Sequence, residues 1–484
     1  ADNNTAVGKS SLDANTTGGN NTAVGYNSLL ANTTASSNSA FGYGCLGGNT
    51  TGIRNTAVGS LALSSNQTGN YNVAVGYDAL GDASGSNNVA VGNDALKLLT
   101  TGGNNVAMGI NALDACTTGG QNTAIGGFAL DNNTTAANNT AIGYQALEMN
   151  TTGVQNTAVG SGAMEEQLSN NCTAVGYYAL NKNTTGAENT AMGSNALDAN
   201  TTGNYNHAFG NNALGANTTG HGNVAIGINA LLLNSTGNYN TSVGGFALDA
   251  NTTTSNNTAL GYTALTANTA DNNTAVGYEA MAANTTGTRG TAMGDNALSA
   301  NTTGNDNTAI GSYALDANTT GSNNTAIGSD ALKTNTGGSH NIAIGLNALE
   351  DCTASNNIAI GVDAATNVTT GTLNTVVGRS ALETCTTGGY NCAYGYNSLN
   401  SLTTGTENAA YGYSTMVNCT TGHSNAGIGA FALQEVSTGT YNCALGPSTL
   451  RRCSTGHHNI ALGHSAGDHV TSGEHNIMIG RNAG

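Results

Sequence analysis

Apolar and polar positions in this chain recur together, as a phrase, rather than with the period of a helix. The stretch "NNTAVGYNSL" (20–29) returns as "NNVAVGNDAL", "NNTALGYTAL" and "NNTAIGSDAL". With the glycine after the apolar residue taken as position zero, the phrase falls at Gly8, Gly25, Gly42 and onward to Gly480, 29 copies in all. The step is 17 residues, except for four steps of 16 that end at Gly92, Gly176, Gly277 and Gly361. The short steps lose their residue in the "NTTG" stretch, and length variation confined to one place marks a turn. Position −1 is large and apolar (Val7, Phe41, Met108, Ile142, Leu260) or aromatic (Tyr394), and position −2 is nearly always Ala. Position +4 is Leu or Met except at Ala365, Gly467 and Gly484, and position −4 is Asn except at Cys172 and Gly290.

A 17-residue unit is too short for the helical-hairpin solenoids. It predicts an all-β fold: a parallel β-solenoid (β-roll or β-helix) of about 29 coils. Each coil would hold a strand "NTAVGY", a bend at Gly, a second short stretch "ALxA" and a turn "NTTG". At ~4.8 Å per coil the expected form is an elongated rod of about 140 Å. Along the strand one face carries Asn, Ala and Gly and the other Thr, Val and Tyr. The large apolar ranks supply the expected core: Val24, Leu29, Ile142, Leu147, Ile327 and Leu332. The Asn rank, for example Asn21, Asn55, Asn139, Asn156 and Asn324, is expected to form a hydrogen-bonded ladder from coil to coil. One coil buries too little apolar surface to fold alone, so stability must be collective. Both strand faces hold apolar positions, and the one left outside is expected to meet a copy of the chain, in a homotrimer or a side-by-side filament. Residues 1–484 are read as one continuous array, a regular 1–350 followed by a more divergent, Cys- and His-enriched 351–484.

Composition narrows the function. Only 8% of residues are charged, and 27 acidic against 10 basic residues give a net charge of −17. That balance excludes nucleic acid, whose phosphates need Lys and Arg, and an anionic membrane surface. No run of 18 apolar residues exists to insert into a bilayer. The 38% of apolar residues recur at fixed positions, which argues for order over disorder. The chain opens at Ala1 and stops at Gly484 inside repeats, which reads as a processed chain or a piece of a longer one.

Candidate chemistry is sparse. Of nine Cys, five share position +7, where Asn usually sits: Cys116, Cys352, Cys385, Cys419 and Cys453. They read as buried thiols standing in the ladder. The competing reading is disulfides, Cys385–Cys392 or Cys443–Cys453, or bridges between chains. No CxxC exists to suggest zinc. His458 and His475 share a register in adjacent coils and are the candidate metal pair, against a plainer reading as solvated turn residues. Acidic residues recur at +2 (Asp78, Asp94, Asp330) and +5 (Asp13, Asp114, Asp249), where stacked carboxylates could hold Ca²⁺; solvated edges are the alternative. No convergent carboxylate pair or Ser/Cys–His triad stands out, so no enzyme and no other cofactor are expected.

The "NTAVG" and "NIAIG" phrases resemble the repeats in the heads of trimeric autotransporter adhesins. The fuller "NTAVGYNSLLANTTASSNSAFG" is similar to repeat arrays in bacteriophage tail-fibre proteins. The resemblance implies an extracellular, homotrimeric fibre. The expected function is therefore a structural one, the stiff shaft of a cell-surface filament or phage tail fibre. An adhesin that binds a surface glycan or receptor through its lateral face or C-terminal end is the alternative. Ice binding, suggested by the regular Thr, is a second.

Overall fold

The computed structural model describes residues 2–484. The chain is an all-β parallel solenoid, with 29 three-residue strands from β1 (Thr5–Val7) to β29 (Ile477–Ile479) and one strand in each coil. Two compact units divide it, Ala1–Asn240 and Thr241–Gly484. The first holds β1 to β14 (Val224–Ile226), and the second holds β15 (Thr241–Val243) to β29.

Within each unit every strand pairs in parallel with the ones before and after, residue type over residue type. Thr140, Thr157 and Thr173 align, as do Ala141, Ala158 and Ala174. That register holds across 17- and 16-residue steps alike, because the missing residue comes from the turn and the strand is spared. Strands on both sides of residue 350 stack in the same way, with Ala343 opposite Ala359 and Ala359 opposite Val376.

The strand ends at the glycine of position zero, where φ is near +140° (Gly76 +142°, Gly261 +144°). A Cβ on Gly76 would sit 2.2 Å from the carbonyl oxygen of Gly92 in the next coil. Backbone conformation and inter-coil distance therefore both demand glycine there. The second short stretch, "ALxA", is a run of turns. Asn27 and Leu29 adopt left-handed φ of 58° and 49°, and the same two positions do so in coil after coil. Leu is an unusual residue for that region. It is held there because Leu29 is fully buried and its N–H donates to the carbonyl of Cys45 in the next coil. The turn is thus bonded to its neighbour even though it is not a strand.

Three apolar ranks fill the interior: Ala at −2 (Ala23, Ala57), Ala at +3 (Ala62, Ala79) and Leu or Met at +4 (Leu63, Leu147, Met164, Leu332), all fully buried. The −1 rank expected in the core lies outside. Val24 is half-buried, and Ile142 and Ile327 are 37% and 36% exposed. Strand alternation sends Ala inward and its large neighbours outward. Most −2 positions carry Ala beside the buried Leu at +4, and Val376 is fully buried at the same position.

Candidate functional site

Two polar columns run through the interior. In the first, the backbone N–H of Asn38 donates to Oδ1 of Asn21 (2.9 Å) and its Nδ2 to the carbonyl of Gly52 (2.9 Å). Asn55, Asn139 and Asn156 repeat this arrangement, and Asn324 donates from its N–H to Oδ1 of Asn307 at 3.0 Å. The second column sits at +7. Asn49 Nδ2 donates to Asn32 Oδ1 (2.9 Å) and also to the carbonyl of Gly52 (3.0 Å). Both columns meet on one turn carbonyl, of Gly52 here and of Ala35 or Ala136 in other coils. Asn at +7 was visible in the sequence only as the residue that the cysteines replace.

Those cysteines lie in the second column. Cys116 donates to the carbonyl of Gly119 (3.6 Å) and accepts from Asn133 Nδ2 (3.9 Å); Cys385 donates to Gly388 in the same way. Burial pushes the thiols of Cys116, Cys352 and Cys385 up to about 11, and those of Cys45 and Cys419 up to about 12. All nine cysteines are free. The pairings Cys385–Cys392 and Cys443–Cys453 do not form. Cys385 and Cys453 point into the coil, whereas Cys392 and Cys443 begin the strands Cys392–Tyr394 and Cys443–Leu445 and lie on the outward side.

The charged ranks lie along the coil edge. Lys97 bridges Asp78 (3.2 Å) and Asp94 (3.1 Å), and Lys333 holds Asp330 at 2.8 Å. The carboxylates of Asp78, Asp94 and Asp330 at +2 are thus paired with ammonium groups. At +5 four carboxylates occupy consecutive coils, Asp114, Asp131, Glu148 and Glu165. Burial, then Asp114 and Glu148, raise the Asp131 carboxyl to about 6. Burial and Asp94 raise Asp114, one of whose carboxylate oxygens is buried with no hydrogen-bond partner. Burial likewise raises Asp249. His458 and His475 lie ring on ring, centroids 4.9 Å apart and planes 2° from parallel, on top of Tyr441 at the same 4.9 Å. Two stacked imidazoles direct their ring nitrogens sideways along parallel planes and do not converge on one ion. No cluster of three metal-ligating side chains occurs among the described residues.

The most extensive feature is the outward strand face. It presents the −3 rank (Thr123, Thr140, Thr157), the −1 rank (Met108, Ile125, Ile142) and, past the glycine, the +1 rank with its tyrosines. Like residues stack on like: Tyr26 on Tyr43 (5.5 Å), Tyr262 on Tyr278 (6.0 Å), Tyr394 on Tyr411 (4.9 Å) and Tyr396 on Tyr413 (5.5 Å). The hydroxyls of the first Thr in "NTT" are turned to structure, since Thr16 donates to the carbonyl of Thr33 and Thr201 to that of Thr218.

No family model, no curated protein and no solved structure matches this chain.

Proposed function

We propose that this chain is a non-enzymatic structural protein, a stiff repetitive segment of an extracellular fibre such as a cell-surface filament or phage tail fibre, assembled with copies of itself. The observation that carries this reading is the in-register repetition: each coil hands the next the same strand, the same two Asn columns and the same glycine contact. Such an arrangement supplies reach and resistance to bending, and it repeats every feature instead of creating one unique cleft. The resemblance to fibre repeats points the same way. Electron microscopy of the purified protein tests it: narrow, straight particles are expected, and compact globular ones would end the proposal.

A second reading, ice binding, is supported by one observation. Thr at −3 is flanked on the outward face by the apolar −1 residue, with Asn turned inward, so Thr and an aliphatic residue alternate over an in-register array (Thr291 to Ile327). Thermal hysteresis in a freezing assay checks it.

A further inference from the structure

The two strand ranks of the outward face, −3 and −1, are free of formal charge, and the few charges of this face stand past the glycine at +1 (Lys9, Asp295, Arg379 and Arg481). Among the described strands no −3 or −1 residue is Asp, Glu, Lys or Arg, although the chain as a whole carries −17. Two copies repel one another through their other surfaces, and this face is where they can touch without setting like charges together. Its side chains are large and partly bare: Met108 and Met192 are each 42% exposed and Ile428 is 48% exposed.

Size agrees. Taken by itself, the strand face of the first unit measures roughly 65 Å by 12 Å, on the order of 800 Å², from strand spacing and residue rise. One side of a standard stable interface buries about the same. Shape agrees too. Ranks of aligned side chains at the strand spacing offer ridges that a second copy of the array can interdigitate, sheet on sheet about 10 Å apart.

We propose that a second copy of this chain docks face to face on the −3 and −1 ranks. This rests on the structural reading above and names its partner contact. One in-register face accepts one partner, so the contact is isologous and its product is a pair.

The test is the mass of the full chain by sedimentation equilibrium. The wild type is expected at twice the 47.9 kDa chain mass. A variant with Ile125→Lys, Ile142→Lys, Ile310→Lys and Ile327→Lys, all outward, is expected at the single mass with its β circular dichroism kept. The same four charges on the exposed turn, Thr118→Lys, Thr135→Lys, Thr303→Lys and Thr320→Lys, should leave the double mass. Cys443 gives a readout that needs no variant, because it is the one exposed cysteine and starts an outward strand. Its labelling by a maleimide should be slow in concentrated protein and fast on dilution. A wild type at single mass, or a double mass that survives the four Ile→Lys changes, overturns the pairing. Straight particles of single mass would leave the fibre reading standing without the pair; compact particles of double mass would do the reverse.

Discussion

At the residue scale the interior is kept in register by asparagine, whose side chain offers a donor and an acceptor at once. Asn55 accepts the backbone N–H of Asn72 on its Oδ1 and donates from Nδ2 to Gly69, both fully inside. Asn55→Ala leaves the buried N–H of Asn72 without its acceptor and takes one of two donors from the Gly69 carbonyl, which Asn66 still serves, and costs about 1–3 kcal/mol. Leu63→Ala removes a fully buried side chain and costs a similar 2–5 kcal/mol. Equilibrium unfolding measures both, and amide exchange near residues 55–72 should rise with the first. The +5 carboxylates act in the opposite sense. Asp131 titrates at about 6 in the fold, above its ordinary 3.8, so its protonated form suits the fold better. The stability it allows is complete below pH 3.8 and falls as pH rises from there through 6. The unfolding midpoint should therefore climb as pH falls from 7 to 5. Asp131→Asn should raise it at pH 7 by about 1 kcal/mol, since water screens the exposed part of the group, and should flatten the pH dependence.

At the element scale each coil is a short strand, a glycine contact and a chain of turns. Gly76→Ala places a Cβ against the Gly92 carbonyl at a φ of +142°. It should cost more than any single core truncation, several kcal/mol, and a thermal melt should show it. The strand, the glycine and the turn were legible from the phrase itself, because period, turn residues and invariant spacing are local signals. The inward face was not. Alternation in "NTAVG" says that Ala23 and Val24 point opposite ways without saying which is inside. The expectation that large residues form the core chose Val24, Ile142 and Ile327. What decides is volume and polar satisfaction: Leu at +4 already fills the coil, and Asn at −4 must be enclosed to build its column. The second column at +7 could have been found from the same fixed spacing that placed the cysteines. The left-handed Leu leaves no signal in composition, because its conformation is imposed by the coil that follows.

At the scale of the whole molecule, stability within each unit belongs to the stack. Neighbouring coils bond through strands, turns and Asn columns, so a coil removed in register should matter little and one removed out of register should matter greatly. Deleting residues 144–160, one full repeat, should shift unfolding by about 1 kcal/mol or less, whereas deleting 144–151 should abolish the cooperative transition. Denaturant unfolding of the two deletion variants compares them directly. All of this requires that consecutive 17-residue segments lie on one another as parallel, aligned coils. X-ray fibre diffraction from aligned protein measures that directly. The account predicts a strong reflection along the fibre axis near 4.8 Å, the spacing of paired strands. A helical pitch reflection near 5.4 Å, or no axial order at the strand spacing, would contradict it.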